Sequence, residues 1–226
     1  MKKWRDLSAL LYMPLAIMAV AAVVLGLAGR RSHTDYGAMP NCIEMFQPAE
    51  IPESFAVSVS ERLKTELPES NIVLKVRATG EQKYMFQIFQ QGAQVTQIFK
   101  GPEDLQDQVI WLTDSSWRLY PDGMQADTGF VNLMREGKEY LVFLDGEMDT
   151  TAARQDRPVY RALEHSLIAP VFCYENFENV AVEPSDEECT YVPYEPVKDN
   201  EFFAVTEKGI EAMEDLKHSM LALYGG

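Results

Sequence analysis

The sequence predicts an α+β protein in which an amino-terminal transmembrane helix precedes a β-rich domain with a few packing helices. One uncharged apolar run, Leu7–Gly29, lies near the amino terminus. Between about residues 71 and 145, short segments alternate apolar and polar side chains, as half-buried strands do. On either side of these segments, apolar residues recur every three or four positions, which is typical of amphipathic helices.

The apolar run is long enough to span a bilayer. It has 23 residues, and a helix needs about 20 to cross the hydrocarbon core. Pro14 lies inside the run, where a membrane helix tolerates it. Basic residues flank the run on both sides, at Lys2, Lys3 and Arg5 and at Arg30 and Arg31. We therefore predict a signal anchor in residues 1–31 that contacts the membrane through residues 7–29.

A cleavable signal peptide is the alternative to this anchor. Gly26 and Ala28 provide the small residues that a cleavage site uses, but the run exceeds the usual apolar core of about 7–15 residues. The basic flanks favour the amino terminus inside by a narrow margin. The sequence thus predicts a single-pass protein of the cell membrane with its carboxyl-terminal domain extracellular.

The charge balance excludes nucleic acid as an expected partner. The chain has 20 basic and 35 acidic residues and a formal charge of −15. Phosphate binding needs clustered Lys and Arg, whose binding releases counterions from the polyanion. Solubility near a negatively charged cell surface is the preferred explanation of the acidity, and a cation-binding role is the more specific alternative. The expected partner is an unknown protein or cell-surface ligand.

The exported part is predicted to begin with a stalk, residues 32–47, followed by a β-rich domain over 48–226. The stalk contains Gly37 and Pro40 and has no sustained period. A helix should follow it, ended by Pro68, but Phe55, Val57 and Val59 also alternate, so a strand is the alternative for its first half. Its apolar residues recur at every fourth position: Ile51, Phe55, Val59, Leu63 and Leu67.

After Pro68 the apolar period changes to two. Strands are expected at residues 72–76, 84–89, 95–99, 109–113 and 140–144, each bounded by Gly, Pro or acidic turns. So many closely spaced strands predict an antiparallel sheet that closes on itself or packs under a helix.

The carboxyl-terminal extension, residues 146–226, is predicted to be mixed. A helix is expected at about 158–168 and short strands between 179 and 205. Thr206 can cap a last helix that ends before Gly225. An apolar stripe along that helix indicates a packing face.

Four of these segments carry a resemblance to a known fold: Asn71–Val76, Gln94–Gly101, Gln108–Leu112 and Gly137–Leu144. Over about 71–145 the chain resembles exported bacterial domains related to the netrin and metalloproteinase-inhibitor OB-type barrel. The resemblance implies a small closed, OB-like barrel core and a binding rather than catalytic role. The chain also resembles uncharacterised single-pass surface proteins of Gram-positive bacteria, which implies topology and no activity.

The inhibitor's own mechanism, in which an amino-terminal Cys binds the target's zinc, does not carry over to this chain. Cys42 is internal, and no Cys occurs between Cys42 and Cys173 to reproduce that family's disulfides.

No catalytic residue or cofactor is predicted. The three histidines, His33, His165 and His218, are far apart, and H-x-x-x-H, C-x-x-C and G-x-S-x-G are absent from the sequence. Cys173 with His165 could form a thiol–base pair, but a buried structural Cys is preferred. Pairing of Cys173 with Cys189 and free thiols are both compatible with the sequence.

One acidic turn is a weak candidate for a metal site. Asp145, Glu147 and Asp149 alternate at the end of a predicted strand, as oxygen ligands of Ca²⁺ could. The calcium-loop pattern fails, because Thr150 and Asp156 stand where Gly and Glu are needed. A solvated turn is therefore preferred, and no metal is predicted.

A candidate contact surface comprises Trp117, Arg118 and Tyr120, residue types that often anchor interfaces. Burial of Trp117 in the barrel core is the preferred alternative. The sequence thus predicts a membrane-anchored, non-enzymatic extracytoplasmic domain that binds or senses a ligand or partner at the cell surface. The alternative is a surface hydrolase whose site the sequence does not reveal.

Overall fold

The computed structural model describes residues 12–14, 16–27, 36, 39, 42–85, 87–149, 155–182 and 190–225. The chain divides into two compact units, Met1–Met39 and Pro40–Gly226.

In the first unit, residues 12–14 and 16–27 are helical and their side chains are exposed. Within the described ranges, no helix has the length and apolar character needed to cross a membrane. The span predicted over 7–29 lies partly outside those ranges.

The second unit is built on one sheet flanked by helices. Its described strands are β1 (Gln47–Pro48), β2 (Ile72–Met85), β3 (Ile88–Lys100), β4 (Val109–Tyr120), β5 (Gln125–Asp127), β6 (Glu139–Glu147), β7 (Val159–Ala162) and β8 (Val171–Cys173). Its described α-helices are α1 (Glu53–Glu66), α2 (Tyr194–Val197) and α3 (Glu207–Tyr224). Single 3-10 turns occur at Cys42–Met45, Leu67–Glu69 and Glu103–Leu105.

Five of the strands close into a barrel. The sheet runs β1-β5-β4-β3-β2-β6-β7, β8 adds to β6, and a further pairing joins β4 to β7. That closing pair is parallel, with Trp111 opposite Val159 and Thr113 opposite Arg161. The other barrel pairs, β2–β3, β3–β4, β2–β6 and β6–β7, are antiparallel. The α+β class and the closed barrel are confirmed, and the arrangement is consistent with an OB-like barrel.

One long strand, β2, serves both halves of this barrel. It pairs with β3 along most of its length and with β6 over Ile72–Arg77. Its register with β3 shifts between Ala78 and Gln82. Gly80 lies in this irregularity with φ +78°, a conformation that glycine adopts without a steric cost. The irregularity lets one strand bend around the barrel.

Helices α1 and α3 pack against each other beside the sheet. Thr206 caps α3 as predicted, because its Oγ1 accepts a hydrogen bond from the Gly209 amide at 3.2 Å. A buried ion pair fixes α3 to the barrel. Lys217 Nζ lies 2.5 Å from Glu201 Oε2, and Glu201 Oε1 accepts the backbone N–H of Cys173 in β8 at 2.7 Å.

The strand predicted over 84–89 is wrong as a single element. β2 ends at Met85 and β3 begins at Ile88, and these two residues pair, so the stretch spans the ends of two antiparallel strands. Tyr84 and Met85 belong to one strand and Ile88 and Phe89 to the next, and the alternation of apolar residues does not show where one strand ends and the other begins.

The helix predicted over 158–168 is also wrong. Val159 and Tyr160 are buried in β7, where they complete the barrel between β4 and β6. Leu167, four residues beyond Leu163 in the apolar pattern, has φ +62°, which a right-handed helix does not allow. Pairing with β4 and β6 therefore makes Val159–Ala162 a strand, although the apolar residues of this segment have helical spacing. Between 179 and 205, the described residues form isolated bridges and the short helix α2 rather than several strands.

Candidate ligand-binding cleft

A cavity of about 290 Å³ opens beside the barrel, where the segment between β1 and α1 meets the ends of β4 and β5. We call it the Glu50 cleft. The lining residues that matter for its chemistry are Glu50, Ser116, Asp127, Thr128, Leu167 and Tyr191.

Backbone hydrogen bonds hold the segment that carries Glu50. The Glu50 amide donates to the Thr190 carbonyl at 2.7 Å, and the Ala49 amide donates to Ala126 at 3.0 Å. On the other side, the Ile51 amide donates to Phe203 at 3.0 Å. Three separate parts of the chain thus fix the backbone position of Glu50 beside the cleft.

The Glu50 carboxyl is fully buried and neither of its oxygens has a hydrogen-bond partner. Burial raises the pKa of this carboxyl to about 8, because a low-dielectric environment disfavours the charged form. The Val182 backbone amide partly offsets the rise without reaching the geometry of a hydrogen bond. The Thr128 hydroxyl in the same cleft is also buried and unpartnered. Such groups are costly, and each requires a specific explanation.

Asp127 supplies a second carboxylate to the cleft. Its Oδ1 accepts a hydrogen bond from the Tyr191 hydroxyl at 3.0 Å, and its Oδ2 accepts one from the Tyr120 hydroxyl at 3.3 Å. The described residues that line the cleft include no Lys, Arg or His. The cleft is therefore acidic.

A second cavity, of about 370 Å³, adjoins the Glu50 cleft and shares Ser116 and Leu167 with it. Asp114 and His165 also line this cavity. Asp114 Oδ1 accepts hydrogen bonds from the amide and hydroxyl of Ser116 at 2.7 and 2.5 Å. Burial nevertheless raises the Asp114 pKa above its ordinary value.

Backbone in the left-handed region surrounds both cavities. Gly129, Phe130, His165 and Leu167 have φ values of +64°, +58°, +64° and +62°. A Cβ on Gly129 would lie 2.8 Å from the Ala169 Cβ, so glycine is required there. Unusual backbone of this kind concentrates at functional sites, where the surrounding fold holds it in place.

The structure places Trp117 in the barrel core, which confirms the preferred interpretation and removes it from the candidate contact surface. Its ring stacks on Phe89 with 5.3 Å between centroids, and its Nε1 donates to the Thr128 carbonyl at 3.0 Å. Arg118 is exposed, and its Nε donates to the Ser115 carbonyl at 3.2 Å. Tyr120 is half-buried and donates to Asp127. Trp117 and Tyr120 therefore form hydrogen bonds to two residues that line the cleft, Thr128 and Asp127.

The acidic turn does not assemble a metal site. Asp145 Oδ2 accepts the Glu164 amide at 3.0 Å and lies 3.4 Å from Arg161 Nη2, whereas Glu147 and Asp149 are exposed. Within the described ranges, no group of three or more His, Cys, Asp and Glu residues could hold a metal ion.

The Cys173–His165 pair does not assemble either. Cys173 is a free, fully buried thiol in β8, and burial raises its pKa. His165 lies in an exposed turn. Cys42 is likewise free and buried, and Cys189 and His33 lie outside the described residues.

No family model matches the chain, and no curated protein matches it.

The sequence analysis missed Glu50, Asp114, Asp127 and Thr128. One available signal was a lone acid between the apolar residues Ala49 and Ile51, with a proline on either side of these three residues. A charge in such a setting indicates a buried carboxyl.

Replacing Glu50 by Gln should raise the free energy of unfolding, by more as the pH rises. Below about pH 4.5 the Glu50 carboxyl is protonated in both the folded and the unfolded state. Between about 4.5 and 8 it ionises only in the unfolded state, so the folded wild type loses stability as the pH rises. The loss is at most about 1.4 kcal/mol per pH unit and levels off above pH 8. Urea unfolding of the full-length protein in a mild detergent measures the difference between variant and wild type.

The control is Glu44→Gln, which removes an exposed acid. Its stability difference from wild type should change little with pH. A Glu50→Gln difference that stays constant between about pH 5 and 8 would show that Glu50 titrates normally.

Proposed function

We propose that this chain is a membrane-anchored, non-enzymatic extracytoplasmic protein whose barrel domain binds a small ligand in the Glu50 cleft. One observation carries the proposal. Glu50, whose buried carboxyl has two unpartnered oxygens, is one of the residues that line a cavity of about 290 Å³.

Two features support a ligand at this place. Buried polar groups are nearly always hydrogen-bonded, and a bound ligand would supply partners for Glu50 and Thr128, which are two of the buried side chains that lack them. The barrel interior, in contrast, is filled by side chains such as Phe89 and Trp117. Its edge is where space and unsatisfied polar atoms coincide, and that combination is typical of small-molecule sites.

The membrane anchor is supported by the sequence. The run Leu7–Gly29 carries no charge and has basic residues at both ends. Residues 12–14 and 16–27 within it are helical. The acidic body, Pro40–Gly226, is most simply placed outside the cell.

A surface hydrolase is the second candidate, and the adjoining cavity favours it. A buried carboxyl whose pKa is raised above its ordinary value can act as a general acid, and Asp114 lies with His165 at that cavity. Ser116 already occupies Asp114 Oδ1 through two hydrogen bonds. Ligand binding is preferred over hydrolysis, because the unpartnered oxygens belong to Glu50 and Thr128, which line the Glu50 cleft and not the adjoining cavity.

Filling the cleft should abolish ligand binding without unfolding the protein. Leu167 lines the cleft and is 46% exposed, so Leu167→Trp can occupy the opening without overpacking the core. A thermal-shift screen of small polar compounds on the full-length protein should find compounds that stabilise the wild type but not this variant.

The matched control is Leu223→Trp, at a site on α3 that is 61% exposed. This variant should respond to the same compounds as the wild type. If every stabilising compound also stabilised Leu167→Trp, the ligand would bind elsewhere and the proposal would be wrong.

Membrane topology is tested on intact cells from which the wall has been removed. Added protease should digest the body and leave a membrane-bound stub, while a cytoplasmic marker protein stays intact. Protection of the body would contradict the orientation. A mature amino terminus at Gly29 would contradict the uncleaved anchor.

A further inference from the structure

We infer that the Glu50 cleft binds the ammonium group of a small organic amine, with Glu50 and Thr128 as its hydrogen-bond acceptors. The inference rests on the proposed ligand-binding function and specifies the chemistry of the ligand.

The number of unsatisfied acceptors matches an ammonium group. Glu50 Oε1, Glu50 Oε2 and Thr128 Oγ1 are buried, lack partners and belong to residues that line one cavity. A primary ammonium has three N–H donors and no acceptor. Hydrogen bonds between an ammonium and a carboxylate are also stronger than neutral ones.

The charge of the cleft favours a cation. Asp127 is its second acid, and no basic side chain is among its described lining residues. The whole chain carries a formal charge of −15, which raises the local concentration of cations and lowers that of anions. An anionic ligand would meet two carboxyl groups without a compensating base.

An organic cation fits better than a metal ion. Calcium takes six to eight oxygen ligands, and the described residues hold no cluster of three or more metal-binding side chains. Pro52, Phe130 and Leu167 instead give the cleft apolar walls that suit the carbon part of an amine.

Binding should release a proton. In the free protein Glu50 has a pKa of about 8, so at neutral pH it is mostly the neutral acid. An incoming ammonium favours the carboxylate, and the carboxyl O–H bond breaks with its proton passing to solvent while the amine keeps its own. The other titratable groups facing the cleft are Asp127 and Tyr191; Asp114 and His165 line the adjoining cavity. Affinity should therefore rise with pH up to about 8.

The probes are benzylamine and benzyl alcohol, which have similar shapes and differ in charge. Calorimetry on the full-length protein should show that benzylamine binds at least about tenfold more tightly than the alcohol. Glu50→Gln should weaken benzylamine binding by about 10- to 100-fold. Thr128→Val should weaken it by a smaller factor, and Glu44→Gln should leave it unchanged. Titrations in two buffers of different protonation enthalpy should report close to one proton released near pH 7.

Equal binding of the two probes, or unchanged benzylamine binding by a folded Glu50→Gln variant, would overturn the inference. If Leu167→Trp then abolished binding of the alcohol, the proposed function would stand and only the ligand chemistry would be wrong. If neither probe bound and no screened compound depended on the cleft, both would fail. Stabilisation by calcium chloride but not by benzylamine would assign the cleft to a metal and also overturn the inference.

Discussion

The parallel pairing of β4 with β7 closes the barrel and determines where the two cavities form. It converts a sheet into a closed barrel and thereby satisfies backbone groups that an open edge would leave unpaired. Beyond the paired residues, β4 continues to Asp114 and Ser116, and the chain after β7 continues to His165 and Leu167. Closure therefore brings together the residues that both cavities share.

The residues of the cleft lower the stability of the folded protein. Glu50 and Thr128 bury polar atoms without partners, and Phe130 and Leu167, which are not glycines, hold left-handed backbone. Each feature lowers stability on its own account. Backbone hydrogen bonds, such as those from Ala169 to Gly129 and from Phe203 to Phe130, hold the arrangement in place. We interpret this as stability given up for a binding site.

Much of the barrel could be predicted from sequence, because Ile72–Val76 and Tyr140–Leu144 combine strand-forming residues with clear boundaries. Strand β7 could not, because four residues are too few to separate alternation from helical spacing. The cleft could not be predicted either. Glu50 comes close to Thr128 and Thr190 only when the chain folds. The local sequence therefore shows an acid between apolar residues but not the residues that surround it in the fold.

In the free protein the Glu50 carboxyl is buried without a partner, and its raised pKa keeps it mostly protonated at neutral pH. Its pKa can be measured directly from the carboxyl carbon chemical shift in an NMR titration, with the signal assigned by its loss in Glu50→Gln. We expect a titration midpoint near 8 for the Glu50 carboxyl, and a lower midpoint when an amine is bound. A midpoint near the ordinary value of 4.5 in the free protein would contradict the account, because the carboxyl would then be solvated or already paired.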